Sequence, residues 1–356
     1  MIYILNCISL LIWGWLCKHI KNVNKSGLFF SIMIIQMSLI VGLRYQVGAD
    51  YLTYERMYQR FGENILLSVY DARIEVGYRA LNWMFWNVNM PFWFFCLFLA
   101  FLTHFFACKT IDALCKTYDE KVCAVYLYIA LFFFYHSMNM MRQGVAMTIG
   151  MYAVVKLIEN NRKKFFCYIL IASLFHTITA VVYLLAYVMM YIKLSKKTFA
   201  LYALSIFIVL NWYEILLDIA SHTKYSVYLN QFYNKSNMAS TFMNLIVRCM
   251  LLIIVLVMYK YMQEGKKKIV LYNMVVLCTV LQVLTTKSSI FGRVTTPLFL
   301  AYVVLLPNAI SDFKSRYKKL IWWSCYLGAT CYQIVYYHYN ANSVLVNSYQ
   351  SVLDIW

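Results

Sequence analysis

The chain has 356 residues, 63% of them hydrophobic, and only three prolines; its mean hydropathy is +0.64. This is too apolar for a soluble domain of that length and implies a multispanning membrane protein. Lipid leaves no partner for a bare amide, and the apolar runs do not alternate as barrel strands do, so the spans are expected to be helices. A formal net charge of +18 would suggest nucleic acid in a soluble protein. Here the charge is first sorted by side of the membrane, and no nucleic-acid partner is expected.

In chain order, apolar runs fall roughly at 1–17, 27–43, 84–108, 122–138, 143–158, 165–176, 177–192, 198–212, 240–262, 269–286, 294–310 and 318–337. They predict an all-α polytopic protein, a single integral membrane domain over 1–356 with about twelve transmembrane or re-entrant helices. No basic region precedes the first run and no small-residue cleavage site follows it, which argues against a signal peptide. The run 165–192 has basic clusters at both ends and must cross twice or not at all, yet each half is shorter than the ~20 residues of a span. A hairpin is expected, its tip Phe175-His176-Thr177 lying below the outer surface; the alternative is one long tilted helix.

The lysine-rich connections are 18–26, 109–121, 156–164, 193–197, 260–268 and 314–319. The positive-inside rule assigns all six to the cytoplasm and both termini to the outside. Of 22 lysines, 19 then fall on the cytoplasmic side, whereas eight of ten arginines (44, 56, 60, 73, 79, 142, 248 and 293) fall on or near the outer side. Lysine sets topology and arginine is kept for another task, for which its planar fork suits phosphate or carboxylate. The eleven cysteines contain no Cys-x-x-Cys pair and read as small core hydrophobes.

Two large outer loops are expected, 44–83 for substrate binding and 213–239 as a lid. The first carries Arg44, Asp50, Arg73, Glu75 and Arg79 together with Tyr45, Tyr51, Tyr54, Tyr58, Tyr70 and Tyr78, whose flat faces suit sugar rings and equally an interfacial aromatic belt. Asn139 is placed as an N-cap with Arg142 and Gln143 in the first turn, a spot fitted to an anionic phosphate. His176 is the most economical candidate base; Asp50 and Glu75 compete, although a carboxylate beside arginines is a better orienting partner than a base. Arg293 follows Gly292 at the outer end of a late helix. There is no P-loop, Gly-x-Ser-x-Gly, His-Glu-x-x-His or acidic metal cluster, so no metal or other cofactor is expected, and the chemistry must be driven by an activated substrate already in the membrane.

Arg44-Tyr-Gln-Val-Gly48-Ala-Asp50-Tyr51-x-x-Tyr54, Glu75-Val-Gly77-Tyr78-x-x-Leu-Asn82, Asn139-x-x-Arg142-Gln143-x-x-Ala146, Phe175-His176 and Phe291-Gly-Arg293, in this order, resemble the EpsG family of exopolysaccharide and O-antigen polymerases (Wzy-type). Ala49 departs from the threonine common there. The resemblance implies a membrane glycosyltransferase on the outer face of the cytoplasmic membrane, moving a growing glycan from undecaprenyl pyrophosphate onto a lipid-linked repeat unit. It implies catalytic roles for His176, Arg142, Asp50 and Glu75, and substrate binding by Arg44, Tyr45, Tyr51, Arg73, Asn139, Gln143 and Arg293. A chain-length regulator and a flippase are the protein partners expected. The competing readings are a flippase of the lipid-linked repeat, which would want charges in both leaflets and an internal repeat, and an acyltransferase modifying the same glycan.

Overall fold

A computed structural model describes residues 2–63, 74–212, 215, 218–219, 221–222, 238–287, 291–313, 316–344 and 349–354. Among these residues the chain forms sixteen α-helices and no strand, with one isolated antiparallel bridge between Arg44 and Ser351. Helices α1 (Ile2–His19) and α2 (Lys25–Gly42) form an opening hairpin, turned at Asn22 (φ 61°) and capped where Asn24 accepts from the Gly27 amide at 3.1 Å.

The expected loop over 44–83 is largely helical. Its described parts form α3 (Tyr51–Glu63) and α4 (Val76–Asn87), which pack on each other. Tyr51, Tyr54, Tyr58 and Phe61 recur at helical spacing and share one buried face, as do Tyr78, Asn82 and Phe85. The predicted span 84–108 is displaced toward the C-terminus for a related reason. Residues 84–87 complete α4, Asn89 turns with φ 54°, and Pro91 opens α5 (Phe92–Leu114).

Helices α6 (Tyr118–Ala130) and α7 (Phe133–Asn139) form one bent pair, inclined 45° to each other. The bend runs through Phe132, held at φ 72° between the rings of Tyr135 and Tyr336, centroids 4.5 and 4.3 Å away. A bulky residue in that region costs ~1–3 kcal/mol and persists because tertiary packing over-determines it. Then follow α8 (Met141–Ile158), α9 (Arg162–Ser173), α10 (Thr177–Met189), α11 (Lys196–Asn211), α12 (Met238–Met258), α13 (Lys266–Gln282), α14 (Gly292–Phe299), α15 (Ala301–Asp312) and α16 (Lys318–Val344).

Run 165–192 is a hairpin and not one helix: α9 and α10 pack together, and Arg162 at one open end donates to the Tyr191 hydroxyl at the other at 3.0 Å. The expectation is about twelve transmembrane or re-entrant helices. Among the described residues five helical stretches are long and apolar enough to cross a membrane (25–42, 92–114, 241–261, 266–286 and 292–312), or six with the bent α6–α7 pair. Helices α9 and α10, of 12 and 13 residues, are too short to qualify.

The lysine clusters do gather at one end. Lys18 pairs with Asp119 and Lys25 donates to the Lys18 carbonyl. Lys121 pairs with Asp112, Lys116 with Asp312, and Lys267 reaches the Leu114 carbonyl and Asn308. Lys266 meets Asn160, and Lys318 the Ser311 carbonyl. From that end α8 crosses the core against α5, α9 and α10, with α13 and α15 completing it.

Candidate functional site

At the opposite end, the first turns of α4, α8, α10 and α14 meet. Glu75, just before α4, takes the Arg142 guanidinium of α8 on Oε2 at 2.5 Å and the Thr177 amide of α10 on Oε1 at 3.1 Å. In return the Leu174 carbonyl, in the α9–α10 turn, accepts from the Tyr78 amide of α4 at 3.1 Å. The two helix starts thus cap each other. Gly77 permits this closeness, since a Cβ there would lie 2.5 Å from the Leu174 Cβ and 2.8 Å from its carbonyl oxygen. Gln143 ties in the fourth helix, donating to the Arg293 carbonyl at 2.9 Å.

The site is recessed. At 1.5 Å per residue, the 13 residues of α10 put the hairpin tip ~20 Å from the lysine end, and the 18 of α8 put Met141 at ~27 Å, whereas the 23 of α5 rise ~34 Å. Arg142 lies over the Tyr78 ring, 5.6 Å from its centroid, its side chain 12% exposed. Asp50 is open to solvent but hemmed in by protein. That crowding raises its carboxyl above the usual value, against the opposing pull of Arg293 and then Arg142. Formal charges of Arg142, Arg293, Asp50 and Glu75 cancel. The four helix N-termini, each worth about half a positive charge, leave the recess electropositive.

His176 caps α10. Its Nδ1 accepts from the Thr179 amide at 3.3 Å and lies 2.9 Å from the Thr179 hydroxyl. An amide only donates, so the neutral ring carries its proton on Nε2.

Several predicted residues stand elsewhere than expected. Arg44 does not face the recess: it is fully buried, giving its donors to the carbonyls of Val41, Val47 (3.1 Å) and Met138 (3.0 Å) and to the Met141 sulfur (3.2 Å). Tyr51 is buried under it, with the guanidinium 5.6 Å from the ring centroid, and Tyr45 packs edge-on against Tyr51 while its amide bonds the Gln350 carbonyl. These three fasten the 43–50 connection. Asn139 is not an N-cap but the last residue of α7, and Met140 precedes α8. Its amide is 4% exposed with neither Oδ1 nor Nδ2 hydrogen-bonded, against Gly48 at φ 104°, where a Cβ would sit 2.7 Å from Oδ1. Arg73, and most of the expected lid 213–239, lie outside the described residues.

Two further residues of the 44–83 segment stand beside the site. Tyr54, buried beneath Arg142 and Arg293, has its hydroxyl pKa raised by burial against their pull. Arg79 follows Glu75 by one turn on the same face of α4 and has buried Nε and Nη1 without a hydrogen bond. Spacing from Glu75 was the available signal for Arg79.

A model of the EpsG family matches residues 27–351, and the chain belongs to the EpsG family. No curated protein and no solved structure gives a match.

Proposed function

Proceeding from EpsG-family membership, we propose that this protein polymerises a bacterial surface polysaccharide, an O-antigen, capsule or exopolysaccharide. It transfers the growing glycan from undecaprenyl pyrophosphate to a lipid-linked repeat unit. The observation that carries this reading is the meeting of four helix N-termini with Arg142 and Arg293 in a recess remote from the lysine end. Such a place fits a pyrophosphate leaving group, and the positive-inside rule turns it to the outer face of the cytoplasmic membrane. On this reading the chain has about twelve transmembrane or re-entrant segments, and 213–239 serves as a lid.

In the reaction the acceptor hydroxyl oxygen bonds to the anomeric carbon while the bond from that carbon to the pyrophosphate oxygen breaks. The electron pair leaves on pyrophosphate, whose charge Arg142, Arg293 and the helix N-termini stabilise. Asp50, within electrostatic reach of both arginines and with raised proton affinity, takes the hydroxyl proton. His176 is reassigned from base to donor, because capping commits its Nδ1 lone pair and leaves an Nε2–H. Glu75 holds Arg142 and α10 in place, Arg44 fastens the connection leading to Asp50, and Asn139 offers its unbonded amide to the glycan.

Loss of one such charge-stabilising donor lowers turnover by about 10²–10³. Arg142→Ala is therefore expected to reduce surface polysaccharide in a complemented deletion strain to single repeat units, with the protein still inserted. Normal-length polymer would defeat the proposal. Loss of even the single unit from the surface would indicate a flippase, and normal length lacking a substituent an acyltransferase.

A further inference from the structure

Away from this recess the bundle buries another arginine. Arg248 stands on α12, 8% exposed, ten residues before the helix ends toward the lysines, or ~15 Å by helical rise. One guanidinium nitrogen lies 3.4 Å from the Cys278 sulfur, and the group sits 4.6 Å from the Phe299 ring centroid. Among the described residues no carboxylate pairs with it. Burying an ion costs several kcal/mol even after relaxation. A cation–π contact returns ~0.5–2 kcal/mol and a thiol is a weak acceptor, so these neighbours do not neutralise it.

Polar groups stand beside it. Asn244, one turn before Arg248 on the same face, accepts from the Tyr332 hydroxyl at 3.1 Å. His136 stands within electrostatic reach of Arg248 and one turn before Asn139 on α7, so this short helix separates the two places. The far side of α12 is apolar and bare: only 17% of its span is buried, and Ile246, Met250, Ile253 and Val257 are each more than half exposed.

We infer that Arg248 and Asn244 form a second anion site, which takes the phosphate-bearing headgroup of a prenyl lipid. Arginine supplies the charge-assisted bonds and Asn244 a neutral amide. The ligand's identity rests on the polymerase reading: that reaction uses two lipid-linked pyrophosphates, donor and acceptor, and the first recess is assigned to one of them.

The test is a titration of the purified full-length protein in detergent with farnesyl pyrophosphate, counting bound molecules by native mass spectrometry. Wild type should bind two equivalents, and Arg248→Gln and Arg142→Gln one each. Arg248→Lys, which keeps the charge but loses the fork, should weaken one site by about tenfold. Arg142→Gln leaves α12 intact, so it decides the matter even should Arg248→Gln fail to fold: no binding in that variant overturns the second site. Two equivalents retained by Arg248→Gln would overturn it as well, as would inorganic pyrophosphate binding there as tightly as the farnesyl compound. No binding by wild type would count against the polymerase reading itself and remove the second site with it.

Discussion

His176 shows how one hydrogen bond decides a chemical role. Asparagine places an amide oxygen near the position of Nδ1, whereas glutamine places an amide N–H near Nε2–H. His176→Asn is expected to keep the α10 cap and the unfolding temperature yet lose polymer growth. His176→Gln should lose the cap, worth ~1 kcal/mol, and retain measurable polymerisation. A fully active asparagine variant would show that Nε2–H is not used. The carboxylate at position 50 is tested by pH. As a base Asp50 must be ionised, and crowding raises its carboxyl, so the acid limb of activity should lie above the ordinary carboxylate range. Arg293→Gln removes the largest opposing cation and should move that limb further up in pH, read from the pH dependence of chain extension in membrane vesicles; movement downward would exclude Asp50. The sign for stability is opposite to that of a paired carboxylate: the folded state holds the proton more tightly, so ionising Asp50 as pH rises costs stability. Asp50→Asn should then abolish extension without lowering the unfolding temperature at neutral pH.

At the scale of elements, the recess depends on how closely α4 approaches the α9–α10 turn. Gly77→Ala forces its Cβ into the Leu174 Cβ and carbonyl, an overpacking of ~1–3 kcal/mol. It should break the Tyr78–Leu174 and Thr177–Glu75 bonds together, lowering both the unfolding temperature in detergent and polymer length; wild-type values for both would mean that the interlocked caps are dispensable. The α9–α10 hairpin was legible in sequence because basic clusters flank a run too short to cross as two full spans. The helices within 44–83 were less so, because Glu55, Arg56, Gln59 and Arg60 alternate with the buried tyrosines and give the segment the composition of a loop. The true start of α8 was not legible. It follows from the turn at Phe132, which only packing against Tyr336, two hundred residues away, can hold. For the same reason Arg44 reads as a ligand-binding arginine in sequence and becomes a structural clamp once Met138 is brought to it.

Over the whole molecule, the two kinds of cation do different work at opposite ends. Lysines at one end pair with Asp112, Asp119, Glu159, Glu264 and Asp312, mostly at the surface, where such pairs are worth about 0–1 kcal/mol each. They add little to stability, whereas the positive-inside rule gives such clusters weight in orienting a chain during insertion. Arg142 and Arg293 at the other end stand among helix N-termini, where charge costs most unless an anion shares the site. This separation fixes which way the recess must open for an outward-facing polymerase. Replacing exposed Cys167 and Cys331 by serine removes the most accessible native thiols, after which Gln46→Cys, in the exposed turn before Asp50, and Lys21→Cys, in the α1–α2 turn, report the two ends. A membrane-impermeant thiol reagent should label Gln46→Cys in intact cells and Lys21→Cys only after the membrane is opened. The reverse pattern would turn the recess to the cytoplasmic side and would leave the lysine clusters at odds with the positive-inside rule. It would therefore overturn the polymerase reading from the side of topology, independently of any change made to the recess itself.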